Sequence, residues 1–130
     1  MATFDDVARL ALALPETAEG LSYRHRAWSV GRKAFAWERP FSKADLERFG
    51  DDPVPEGPIL GVRVEDLGEK EAILAEGRPG FFTIQHFDGF AGLLIQLGLV
   101  GETVLRETLV DAWLATAPPR LAERHADRLP

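Results

Sequence analysis

Ala27-Trp28-Ser29-Val30-Gly31-Arg32-Lys33-Ala34-Phe35-Ala36-Trp37 is the stretch on which the fold turns. Two short runs rich in aromatic and aliphatic residues flank Gly31-Arg32-Lys33, the pattern of two strands joined by a tight turn. Gly31 supplies the positive φ that such a turn demands. Period-two alternation puts Trp28 with Val30 on one face of the first strand, and Phe35 with Trp37 on one face of the second. Arg32 and Lys33 then project at the tip. Pro40, which cannot donate to a ladder, ends the pairing. Trp28 and Trp37 are both expected to pack beneath the last helix.

Upstream, Thr3-Phe4-Asp5-Asp6 is a capping-box variant, and Phe4, Val7, Ala8, Ala11 and Leu14 follow at helical spacing until Pro15. Residues 16–23 are polar, contain Gly20, and are expected to be a connection. Downstream, Ser42-Lys43-Ala44-Asp45 opens a short helix through about Phe49, and the Pro-rich, acidic segment 50–58 is a loop. Residues 59–64 form a strand, and residues 66–76 a helix closed by Gly77 and Pro79. Residues 81–85 and 93–97 are two further apolar strands around the aromatic turn His86-Phe87-Asp88-Gly89-Phe90. Glu102 to Thr116 has the clearest helical stripe, and Pro118-Pro119 separates it from a short polar helix over 120–128. These elements predict an α+β fold: a two-layer sandwich in which a mainly antiparallel five-stranded sheet carries its helices on one face, in the order α-β-β-(α)-β-α-β-β-α. Residues 1–130 are expected to form a single domain, with 118–130 as a helical tail.

Composition narrows the function classes. The chain is 45% hydrophobic and 28% charged, as globular proteins are, and has no cysteine, which excludes disulfides, thiolate metal sites and cysteine nucleophiles. No apolar run is long enough to span a membrane and Met1 to Asp6 is unlike a signal peptide, so a cytoplasmic, membrane-free protein is expected. The net charge of −6 opposes non-specific attraction to nucleic acid. It is unevenly spread: between Ser22 and Arg39 five cations meet only Glu38, a local +4 that leaves −10 for the remainder.

Four phrases, in order, resemble the MmcQ/YjbR family: residues 12–20 ending the first helix, residues 28–36 of the hairpin, residues 81–90, and Leu109-Val110-Asp111-Ala112-Trp113 followed by Ala117-Pro118-Pro119-Arg120-Leu121. The resemblance spans nearly the whole chain. It implies a compact α/β sandwich shared with type III secretion chaperones and frataxin-like proteins, and DNA binding through a double-wing arrangement of hairpins. That implication is a fold-level analogy. Pro119 stands where the family's tail often has lysine.

Enzyme signatures are absent: there is no G-x-S-x-G elbow, phosphate loop or dinucleotide fingerprint. The histidines His25, His86 and His125 are far apart and in no metal-binding frame, so no metal, cofactor or catalytic residue is expected. The candidate nucleic-acid contacts are Arg24, His25, Arg26, Arg32, Lys33 and Arg39, as cations that could reach phosphates or, on the plainer account, as a solvated charge set. His86, Phe87 and Phe90 could line a cleft, or the histidine could simply cap a strand end while the rings are core. His125 and Arg124 are expected at the surface. The leading expectation is a non-enzymatic DNA-binding protein contacting its partner through the basic hairpin. The alternative is a protein-interaction module, self-associating or not, that uses an apolar face around Phe87, Phe90 and Leu93.

Overall fold

Side-chain capping starts three of the helices. Thr3, Ser42 and Asp66 accept from the backbone N–H of Asp6, Asp45 and Glu69 and so open α1 (Phe4–Leu12), α2 (Lys43–Phe49) and α3 (Leu67–Ala75). α4 (Glu102–Thr116) and α5 (Pro119–Arg124), the latter with proline at its first turn, complete the helical set. The strands are β1 (Ala18–Ser22), β2 (His25–Val30), β3 (Lys33–Glu38), β4 (Ile59–Arg63), β5 (Phe81–Phe82) and β6 (Gly92–Gln96). In this computed structural model, which describes residues 1–129, they form one sheet in the order β1-β2-β3-β4-β6-β5, every neighbouring pair antiparallel.

The α+β class and antiparallel sheet agree with expectation, but the sheet has six strands rather than five. The additional strand is β1, in the segment expected to be a connection. All five of its residues are exposed, so no burial alternation marked it. At the other edge, β5 is reduced to Phe81–Phe82, and residues Gln85–Phe87 wind into a 3₁₀ turn.

One face of the sheet carries the main core. Trp28, Val30, Phe35, Leu60, Val62, Leu93 and Ile95 pack there against Val7 and Leu10 of α1 and Leu105, Leu109 and Trp113 of α4. Trp28 and Trp113 are wholly buried with their indole N–H groups satisfied, donating to Glu19 at 2.9 Å and to the Pro15 carbonyl at 3.0 Å. The helices do not all lie on that face, as the sequence had suggested. α2 and the 85–87 turn cover part of the opposite face over a smaller cluster of Ile59, Ile84, Phe87 and Leu94, joined by Trp37, Phe41, Phe49, Phe82 and Phe90.

A β-bulge decides which side Trp37 takes. Trp28 is opposite Ala36, but the next residue, Ser29, is opposite Ala34, so Phe35 is the extra residue on β3. Phe35 and Ala36 therefore both enter the main core, and Trp37 emerges on the other face. The expectation that Phe35 and Trp37 share a face, with Trp37 under the last helix, is overturned by this one-residue slip. The tail differs too. His125 is buried rather than exposed, its Nε2 2.7 Å from Glu16, which ties the end of α5 to the α1–β1 connection.

Candidate functional site

Two glycines prepare the second face of the sheet for aromatic rings. A Cβ on Gly61 of β4 would lie 2.5 Å from Trp37 atoms, and one on Gly92 of β6 would lie 2.4 Å from Phe90, so Trp37 covers the bare backbone of the neighbouring strand and Phe90 folds onto the start of the strand it leads into. The two rings are 6.3 Å apart between centroids and tilted by 57°. Arg63, directly opposite Gly92 in the ladder, donates through Nε to the Ala34 carbonyl at 2.7 Å and holds its guanidinium 5.5 Å over the Phe90 ring.

Around this floor lies an open groove of about 490 Å³ whose rim includes Tyr23, His25, Arg39, Arg63 and His86. The fold thus brings together residues the sequence treated as two separate candidates: His25 and Arg39 from the basic hairpin, His86 and Phe90 from the aromatic turn. Phe87 does not line the groove. It is buried beneath, edge-on to Phe90 at 5.4 Å. The apolar face once assigned to Phe87, Phe90 and Leu93 does not exist as one surface, because Leu93 is wholly buried on the helical side.

The five candidate cations part company. Arg26 is held bidentately by Glu19, at 3.1 Å for each contact, with Asp5 at 3.4 Å, and lies over Trp28 on the helical side. Hydrogen bonding from Arg26 keeps the Glu19 carboxyl below its ordinary pKa. Arg39 donates to Asp45 at 2.8 Å and to the Pro40 carbonyl at 2.6 Å, its side chain only 18% exposed. Burial pushes the Asp45 carboxyl up, but the Ser42 N–H and Arg39 outweigh it and the net shift is downward. Both arginines are therefore largely neutralised within the fold. Arg24, Arg32 and Lys33 are exposed, and they sit in two different turns. Tyr23 and Arg24 connect β1 to β2, while Gly31 and Arg32 connect β2 to β3, so the length of β2 (roughly 17 Å of strand) separates them. The single basic wing of the sequence is two tips at opposite ends.

The groove end has two features that the sequence did not disclose. Tyr23 and Arg24 have φ of 50° and 70°, the geometry of a type I′ turn that glycine and asparagine normally occupy, and Tyr23 is 95% exposed. Behind the groove, buried Lys70 of α3 donates from Nζ to the carbonyls of Phe87 at 2.7 Å and Phe90 at 2.9 Å, clamping the aromatic turn across Asp88-Gly89. Burial lowers the Lys70 pKa, with Asp88 acting in the opposite direction. Gly61 and Gly92, glycines inside apolar strands, were the available signals for this floor. Tyr23 and Lys70 had none, since their roles depend on backbone geometry and on contacts distant in sequence.

Among the described residues, no helix is long and apolar enough to cross a membrane. The chain is 45% identical over 126 residues to the uncharacterized protein Rv2570 of Mycobacterium tuberculosis, covering 95% of each chain, and equally to the uncharacterized protein Mb2600 of Mycobacterium bovis. No family model matches the chain, and no solved structure does.

Proposed function

This chain belongs to the same family as the uncharacterized mycobacterial proteins Rv2570 and Mb2600, and from its own groove we propose that it is a non-enzymatic DNA-binding protein that contacts its ligand at the Tyr23–Arg24 end of the sheet. The observation that carries this is one groove lined by the exposed side chains of Tyr23, His25 and His86 and by half-buried Trp37, Phe90 and Arg63, beside the strained, solvent-exposed turn that bears Arg24. Backbone strain in an exposed tip gains nothing for packing and is a frequent companion of binding sites. Cations with interleaved rings are what single-stranded nucleic acid requires, because backbone charge and base faces are both offered at once. The resemblance to the MmcQ/YjbR proteins agrees with this reading. Arg32 and Lys33, a strand's length away, serve as secondary phosphate contacts that position the ligand without reading bases.

Fluorescence anisotropy of labelled single-stranded and duplex DNA, at low and near-physiological salt, tests the proposal. Single strands are expected to bind more tightly and to weaken with salt. Arg24→Ala and the Arg32→Ala/Lys33→Ala pair should each flatten the salt slope, by about one unit per cation removed. Absence of binding at low salt overturns the proposal.

A second reading, a protein-interaction module, has one observation in its favour. The outer edge of β1 is unpaired among the described residues, and Leu21 on it is 76% exposed, an unguarded strand edge. A monomer at high concentration in sedimentation equilibrium would remove self-association through this edge.

A further inference from the structure

Resting on the DNA reading, we infer that the groove seats one unpaired nucleobase, so that the ligand class is an unstacked nucleotide rather than a paired duplex. The volume of about 490 Å³ falls within the range of small-ligand pockets. Its floor offers π surface at the Trp37 ring over Gly61 and at the Arg63 guanidinium, which the Ala34 carbonyl fixes and the Phe90 ring supports from beneath. Rings and arginine planes of this kind hold splayed bases, whereas a stacked duplex keeps its base faces covered. Trp28 and Trp113 spend their indole N–H groups inside the core. The Trp37 Nε1 lies against the Gly61 backbone, so this indole contributes ring surface. At the rim, His25 and His86 supply hydrogen-bonding nitrogens, and Arg24 in the adjoining tip supplies charge for the phosphate. Tyr23, 95% exposed and on the groove's lining, stands where it can meet the upper face of a seated ring.

The tryptophans provide a direct readout. Trp28 and Trp113 are wholly buried, so collisional quenching by iodide and contact quenching by a base both report on half-buried Trp37. Thymidine 5′-monophosphate and oligothymidylate are expected to quench this accessible emission and to protect it from iodide, while inorganic phosphate alone leaves it unchanged. Phe90→Leu and Arg63→Gln should each weaken monophosphate binding about ten-fold, the scale of one stacking contact. Leu12→Ala, on the exposed side of α1 and away from the groove, should leave it unchanged. Far-ultraviolet circular dichroism confirms that each variant is folded, and either groove variant suffices if the other is not. Monophosphate binding at Trp37 without any binding of DNA supports the groove inference and overturns the DNA reading in favour of a free nucleotide. DNA binding that neither quenches Trp37 nor is displaced by the monophosphate supports the DNA reading and overturns the groove. Failure of both ligands overturns both.

Discussion

The two turns at the ends of β2 share a backbone geometry and differ in everything around it. Gly31 and Arg32 have φ of 58° and 71°, Tyr23 and Arg24 have 50° and 70°. At the first pair, glycine occupies the position where positive φ costs least, and its α-carbon is pressed against Pro118 of the α4–α5 link, so closely that a Cβ would come within 2.9 Å. At the second pair, a tyrosine occupies the equivalent position, exposed to solvent. One turn uses the residue its conformation prefers and is locked to the tail. The other keeps a disfavoured residue with no packing to compensate. Equal geometry with unequal chemistry indicates that the first turn is structural and the second is held for its side chains.

The largest expected effect tests the structural turn. Gly31→Ala adds a methyl against a proline ring that cannot swing aside, and places alanine in a left-handed conformation. Strain and overpacking together should destabilise the protein by about 2–3 kcal/mol, read as a lower urea midpoint. Groove ligands should bind the folded variant unchanged. A near-neutral effect would mean that the Pro118 contact does not constrain the turn.

Next in size is Lys70→Met, which removes the donor behind the groove while keeping an unbranched chain. The Phe87 and Phe90 carbonyls would each lose one of two donors, keeping only the backbone N–H of Phe90 and of Gly92, at a cost of about 1–2 kcal/mol. The pH dependence carries a second signature. Burial lowers the Lys70 pKa from its ordinary 10.5, so just below that pH the unfolded chain holds a proton that the folded chain has begun to release. Stability should therefore rise with pH through that alkaline window in the wild type, relative to Lys70→Met. Denaturation at neutral and alkaline pH measures the difference. A constant gap between the two proteins would deny the burial penalty.

How much of this was legible follows from where the information resides. Local chemistry is written in neighbouring residues, so the caps at Thr3 and Ser42, the β2–β3 hairpin and α4 with its stripe could all be read directly. What failed depended on pairing. The bulge at Phe35 is a property of two strands together, and it reversed the face of Trp37. β1 is exposed along its length and so has no hydrophobic pattern to detect. The basic segment was visible as charge, but its division was not, since Glu19 and Asp45 claim Arg26 and Arg39 only once the chain has folded. Arg63 escaped notice because its importance lies in standing opposite Gly92.

The smallest effect bears most directly on the comparison. Replacing Tyr23 by asparagine and Arg24 by glycine gives the second turn the residues that a type I′ geometry favours. If nothing but folding governed this turn, the change would be purely beneficial, relieving two left-handed non-glycine residues. A gain of about 1 kcal/mol is expected, since the relief is partly offset by the greater freedom of glycine in the unfolded chain. The thermal midpoint should rise by about 3–5 °C for a domain of this size. Ligand affinity should fall over the same substitution, because the variant loses the ring at the rim and the cation for the phosphate. Opposite signs for stability and binding would separate the two turns by function. The same signs, or a stabilised variant that binds as well as the wild type, would return Tyr23 and Arg24 to the status of an ordinary loop and leave the groove floor to account for any binding alone.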